Sequence, residues 1–269
     1  MAYDSYPVGQ YLVDRLHELG VRHLFSVPGP YCAEWLHRYV EQGTSLRRLG
    51  LTSALNAGYA ADGYARTNGV GAVCVPYSVG AYALLNAVAG SFAERVPVVV
   101  INGAPPSRGT DRRRDRPRPL VGGRDANRRV YADVTCATAR IEAPATAPQQ
   151  IDRALRTALR ARRPVYLEPT ADVYDRPCPP PDGPLFPRPD RHAPTVDPNG
   201  VPARIAERLR AAESAVLWGG VELQRYGLRD EFEALVQALD VPYVTSLPGK
   251  GLLPEDHDRI RPLHPRRLP

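Results

Sequence analysis

Apolar positions change their period along this chain, and the changes mark out its elements. In residues 8–20, Leu12, Leu16 and Leu19 share one face at helical spacing, and Gly20 is a natural stop. Residues 21–27, VRHLFSV, read as a strand that Pro28-Gly29-Pro30 breaks sharply. A second helix starts over residues 33–39, and a short strand over 46–51 leads into LTSALNAGYAADGYAR, residues 51–66. Residues 71–75 form an apolar strand ending at Pro76-Tyr77-Ser78-Val79-Gly80, followed by a small-residue helix over 81–93. VPVVVIN, residues 96–102, is a continuous apolar run of strand length, which suits a parallel strand buried on both faces. Ile151, Leu155 and Leu159 align in a helix over 147–161, and PVYLE, residues 164–168, is the next strand.

Strands alternating with helices imply an α/β fold with a parallel sheet and right-handed crossovers. The expected architecture is a doubly wound parallel-sheet domain over residues 1–175, a Pro-rich extended linker over 176–198 and a partial Rossmann-like middle domain over 199–269. In that last stretch, helices over 201–212 and 228–239 alternate with strands over 215–218 and 241–246. This is half a doubly wound pattern, so its sheet is expected to need completion. Ligands of open α/β sheets sit beyond the carboxyl ends of strands, and both Pro28-Gly29 and the Pro76–Gly80 break lie at such ends.

Composition narrows the class. At 43% hydrophobic and 24% charged, the chain is an ordinary globular one. No apolar run reaches the roughly 18–20 residues of a membrane span, and MAYDSYPVGQ lacks the basic start and apolar core of a signal peptide. A cytoplasmic protein without membrane contact is the expectation. Cys32, Cys74, Cys136 and Cys178 are scattered and the histidines show no ligand spacing, so reduced thiols and no metal site are expected. The net charge of +6 comes from arginine, Lys250 being the only lysine, and reflects coding bias more than a partner. The most basic stretch, RGTDRRRDRPR at 108–118, reads as a solvated loop or a binder of phosphate or carboxylate. Without interleaved aromatics it does not point to nucleic acid.

Several segments, in the correct order, resemble thiamine diphosphate (ThDP) enzymes of the pyruvate and indolepyruvate decarboxylase type. They are YLVDRLHELGVRHLFSVPG, ALNAGYAADGYAR, AGSFAERVPVVVINGAP, RRPVYLEPTADV, VLWGGVELQRYGL and LPGKGLLPEDH. The resemblance implies a pyrimidine-binding (PYR) domain followed by a truncated middle domain. It implies that Pro28, Gly29, Ser78, Val79 and Gly80 line the pyrimidine pocket, and that Glu94 belongs to a subunit-contact segment. Asn56 and Asp62, on the 51–66 segment, are expected to make capping or interface hydrogen bonds.

The family holds the diphosphate through Mg²⁺ on a third domain marked by Gly-Asp-Gly, a motif this sequence lacks. Either a second polypeptide supplies that domain or the chain is only part of a larger one; the expected partner is a second subunit bearing it and holding ThDP's diphosphate and Mg²⁺, in a heterotetramer or larger assembly acting on a 2-oxo acid. The ending inside the middle domain favours such a split enzyme.

Departures from the family concern its acids. Where it has the glutamate that hydrogen-bonds the pyrimidine and activates the cofactor, this chain has Ala54. A group of that kind is typically worth about 10²–10⁴-fold in rate. Three readings stand: an engineered Glu→Ala change, natural chemistry without the acid as in glyoxylate carboligase relatives, or natural loss of catalysis. The family's Asp after Pro-Gly is Pro30 here, and its His pair corresponds to residues 120–125, LVGGRD, without histidine. Those groups protonate the intermediate, so aldehyde release is disfavoured. Decarboxylation with acyloin-type carbon–carbon ligation is favoured, the alternative being a non-catalytic structural or regulatory subunit.

Overall fold

The computed structural model describes residues 6–107, 121–186 and 200–260. The chain divides into two compact units, residues 1–188 and 189–269. The arginine-rich stretch at 108–118 lies outside the described residues.

In the first unit, β1 (His23–Ser26), β2 (Arg47–Gly50), β3 (Gly71–Val75), β4 (Val98–Asn102), β5 (Ala137–Ile141) and β6 (Val165–Pro169) form one parallel sheet. The strand order is β2-β1-β3-β4-β6-β5. Continuous apolar runs make this possible, because successive residues point to opposite faces and both faces are covered. Leu24, Ala72, Cys74, Val99, Ile101, Val165 and Leu167 join one core cluster. That face is covered by α1 (Val8–Glu18), α6 (Ala147–Ala161) and α2 (Ala33–Trp35), which runs on as a π-helical turn over Leu36–Glu41. Val73, Val75, Val98, Val100 and Tyr166 face the other cluster, beneath α3 (Ala54–Asn68), α4 (Val79–Ala93) and α5 (Ala126–Ala132). The doubly wound parallel sheet is thus the one the alternation implies.

A buried ionic knot ties α1 to α6. Arg15, only 2% exposed, reaches Asp152 through Nε and Nη2 at 3.0 and 2.9 Å, and Tyr11 donates to the same carboxylate at 2.9 Å. Arg15 also donates to the Gly183 carbonyl at 3.0 Å, and Arg156 donates to the Leu185 carbonyl at 2.8 Å. Pro177 pairs with Pro7, the Cys178 N–H donates to the Tyr6 carbonyl, and Leu185 is fully buried. The stretch expected as linker, 176–198, therefore begins as a strap fastened to the first unit as far as Leu185.

The second unit places α7 (Val201–Ala211), β7 (Leu217–Gly219), α8 (Val221–Arg225), α9 (Arg229–Leu239) and β8 (Tyr243–Thr245) around a two-stranded parallel sheet. Its small core consists of Phe232, Val236, Tyr243, Leu252 and Leu253. Trp218 is 72% exposed, and Val216 and Leu247 are exposed too.

Candidate functional site at the switch point

The chain leaves β1 for β2 on one side and returns to β3 on the other, so the strand order reverses between β1 and β3. A crevice opens beyond the carboxyl ends at such a point. The Pro28-Gly29 turn leaves β1 here, and the Pro76–Gly80 turn leaves β3 into α4.

The two turns pack against each other through Pro76. A Cβ on Gly29 would lie 2.5 Å from Pro76 Cγ, and one on Gly80 would lie 2.9 Å from Pro76 Cδ. Both positions need glycine because the proline ring occupies the space a side chain would take. Ser78 between them has φ 61° and ψ −101°, a conformation that costs a non-glycine residue about 1–3 kcal/mol. Its buried Oγ accepts a hydrogen bond from the Val121 N–H at 2.8 Å instead of capping α4. Val79, the next residue, is 62% exposed, an apolar side chain held out at the rim by a strained turn.

Ala54 opens α3 on the same edge of the sheet, one residue after Ser53, whose Oγ accepts from the Asn56 N–H at 3.2 Å. Its methyl group is buried in a cluster with Val75 and Ala81, against which Val27 and Leu51 also pack. The structure thus brings Pro28, Gly29, Ala54, Ser78, Val79 and Gly80 to the carboxyl ends of β1, β2 and β3. Asn56 donates to Thr52 Oγ1 at 3.0 Å. Asp62 pairs with Arg66 at 2.6 Å and accepts from Ser91 on α4 at 2.7 Å. Those roles are structural. Glu94 lies 3.7 Å from Arg66.

A buried polar chain that the sequence reading did not single out runs behind this frame. Asn102 Nδ2 donates to the Val75 and Pro76 carbonyls at 2.9 and 2.8 Å, fixing the β3 turn from β4. Its Oδ1 accepts from Tyr166 at 2.8 Å and from Asn127 at 3.1 Å, and the Tyr166 hydroxyl lies 2.8 Å from Glu168 Oε2. Glu168 also faces Arg140 at 3.0 Å. Burial raises the Glu168 pKa to about 7, outweighing the opposing pull of the Tyr166 hydrogen bond and of Arg140. The neutral acid suits the geometry. It donates to Tyr166, which is then free to spend its single proton on Asn102. A signal was available in the sequence: Glu168 is a charged residue inside an otherwise apolar strand, and buried charges are rarely unpaired.

This raised pKa has a consequence for stability. Between the unfolded value of about 4.3 and the folded value of about 7, the native state binds more protons, so stability falls as pH rises through that window. The contribution is fully present below pH ~4.3 and is on the order of 3 kcal/mol. Glu168→Gln is expected to flatten the dependence of the urea midpoint between pH 4.5 and 7.5. An unchanged slope would show that Glu168 is ionised throughout.

Residues 121–127 close over the frame. Besides the Val121–Ser78 bond, the Arg124 carbonyl accepts from Tyr77 at 2.8 Å and from Arg140 at 3.0 Å. A separate groove of about 440 Å³ lies among Gly29, Tyr31, Trp35, Tyr39, Tyr174 and Asp175. It shares Gly29 and Pro30 with the first turn but includes neither Ala54 nor any of Ser78–Gly80.

A family model described as thiamine pyrophosphate enzyme, N-terminal TPP binding domain, matches residues 7–121. Thiamine pyrophosphate enzyme, central domain, matches residues 202–262. The chain is 39% identical over 253 residues to an alpha-keto-acid decarboxylase of Mycobacterium leprae, covering 93% of this chain and 43% of the relative. Proteins of the same description from Mycobacterium tuberculosis H37Rv and Mycobacterium avium are also 39% identical, over 93% of this chain and 44% of each relative. The chain therefore spans less than half the length of these relatives.

Proposed function

We propose, from the premise that this chain belongs to the thiamine pyrophosphate enzyme family, that it supplies the pyrimidine side of a ThDP site acting on a 2-oxo acid. The observation that carries the reading is the position of the Gly29–Pro76–Gly80 contact, at the topological switch point and beside Ala54. When bound, ThDP supplies a nucleophilic carbon and an electron sink for decarboxylation. This chain's own part is to bind and orient. Val79 offers an apolar wall to a flat ring, the glycines keep the turns close, and the Val121–Ser78 bond holds the strained turn in place.

The residues fit the ring better than they fit its activation. Position 54 carries a methyl group in an apolar cluster, with no oxygen to hold a proton against a ring nitrogen. Any proton donor then comes from elsewhere in the assembly. This favours acyloin-type carbon–carbon bond formation over simple aldehyde release. The diphosphate and its Mg²⁺ are assigned to a partner subunit bearing the Gly-Asp-Gly domain, in a heterotetramer or larger complex. Exposed Trp218, Val216 and Leu247 support a covering partner for the second unit. The apolar surroundings of Ala54 also favour a second reading, a scaffold subunit that positions a catalytic homologue.

Val79 provides the test. In the assembled complex, Val79→Asp is expected to weaken ThDP binding by about 10–100-fold, the loss of roughly 1.5–3 kcal/mol of apolar contact. The free chain should keep its stability, because the side chain is exposed there. Unchanged affinity in a calorimetric titration would remove this turn from the cofactor site.

A further inference from the structure

At the far edge of the sheet from the switch point, β5 is the last strand, and a cavity of about 140 Å³ opens along it between α5 and α6. Arg128, Thr138, Arg140, Gln150 and Arg153 supply its polar lining. Five buried side-chain polar atoms lack a hydrogen-bond partner among the described residues, and three belong to this lining: Arg128 Nε, Arg140 Nη2 and Gln150 Oε1. A buried group left unpaired costs about 1–3 kcal/mol, so three in one place mark a shared polar demand. The Arg140 side chain is only 8% exposed. Its other nitrogens are occupied, Nε by Glu142 at 2.7 Å and Nη1 by Glu168 and the Arg124 carbonyl at 3.0 Å. Gln150 Nε2 donates to the Arg140 carbonyl at 3.3 Å, which leaves its Oε1 as the unmet acceptor.

We infer that this edge cavity is a binding site for a small oxyacid monoanion that also carries a hydroxyl donor, held by Arg128, Arg140 and Arg153 with its hydroxyl on Gln150. Charge sets the monoanion. Arg128 pairs with Asp125 at 2.9 Å and Arg140 with Glu142 at 2.7 Å, while Glu168 is neutral below pH about 7, so one of the three guanidinium charges is left over. Size sets the class, since a cavity of about 150 Å³ accepts a molecule as large as benzene. Five-heavy-atom ligands such as dihydrogen phosphate or glycolate meet both limits. The guanidinium fork and the unmet amide oxygen are complementary to a group with both acceptors and one donor. Nothing in this site depends on the cofactor reading of the switch point.

The test titrates the full chain with phosphate at pH 6, glycolate and acetate at constant ionic strength, by calorimetry and by arginine Nε–Hε NMR signals. Saturable binding of phosphate or glycolate is expected, with acetate about tenfold weaker because it leaves Gln150 unpaired. Which of the two binds tighter separates a phosphate from a hydroxycarboxylate source. Exposed Arg153→Gln should weaken binding at least tenfold at unchanged melting temperature, and the Arg128 Nε–Hε signal should shift on saturation. Absence of saturation, equal affinity in Arg153→Gln, or an Arg128 signal that does not move would overturn the site and leave buried water as the occupant.

Discussion

Replacing Ala54 by glutamate, in the chain assembled with a polypeptide bearing the Gly-Asp-Gly domain, is expected to raise C2–H exchange of bound ThDP by about 10²–10⁴-fold. That is roughly 3–5 kcal/mol of barrier, and the position supports it on geometric grounds. Ala54 is the first residue of α3, following β2, and Val27, the residue before Pro28, packs against its cluster. A carboxyl there would be desolvated among Val75, Ala81, Val27 and Leu51, which raises its pKa and suits it to sharing a proton. The positive end of α3 partly opposes that shift. The same change should destabilise the free chain by about 1–3 kcal/mol, because a larger polar side chain enters a packed apolar cluster. Faster exchange would identify a cofactor-binding frame that lacks its activating acid. Unchanged exchange with ThDP still bound would instead support the scaffold reading.

Arg15→Ala is expected to cost about 3–5 kcal/mol of folding stability, read from the urea midpoint. The guanidinium holds Asp152, which is nearly as buried, so removing it leaves that carboxylate between α1 and α6 with only the Tyr11 hydroxyl at 2.9 Å and Arg156 at 3.5 Å. It also releases the strap at Gly183, beside fully buried Leu185. Pairing Arg15→Met with Asp152→Asn should recover most of the loss, because the stranded charge and not the missing attraction dominates. A double variant as unstable as Arg15→Ala would show that packing around the arginine stem matters more.

The sequence patterns that were easiest to read were those that packing on both faces enforces. GAVCV at β3 is the expected strand residue for residue, and α6 keeps its expected bounds, because Ile151, Leu155 and Ala158 must all reach one core. Where an element is short or half exposed, the period fades. β5, ATARI, is an edge strand with an arginine and a threonine in it, and α5 spans less than two helical turns, so neither carries a readable period. α8, five residues long, is silent for the same reason. Of the candidate site, the turn residues were legible because proline and glycine have few alternative uses at strand ends. The polar chain through Asn102, Tyr166 and Glu168 was not, since its members lie on β4 and β6 and meet only after folding. The role of Pro76 as the wedge between two glycines likewise depends on a contact between turns 47 residues apart, Gly29 and Pro76.

On the proposed function, these residues form the pyrimidine side of a ThDP site, and a Gly-Asp-Gly domain outside them holds the diphosphate. Calorimetric titration of ThDP with Mg²⁺, into the chain alone and into its mixture with a Gly-Asp-Gly polypeptide of this family, tests it most directly. No saturation is expected by the chain alone up to about 1 mM, equivalent to less than roughly 4 kcal/mol of binding, and saturation is expected at micromolar concentration in the mixture. Micromolar binding by the chain alone would contradict it.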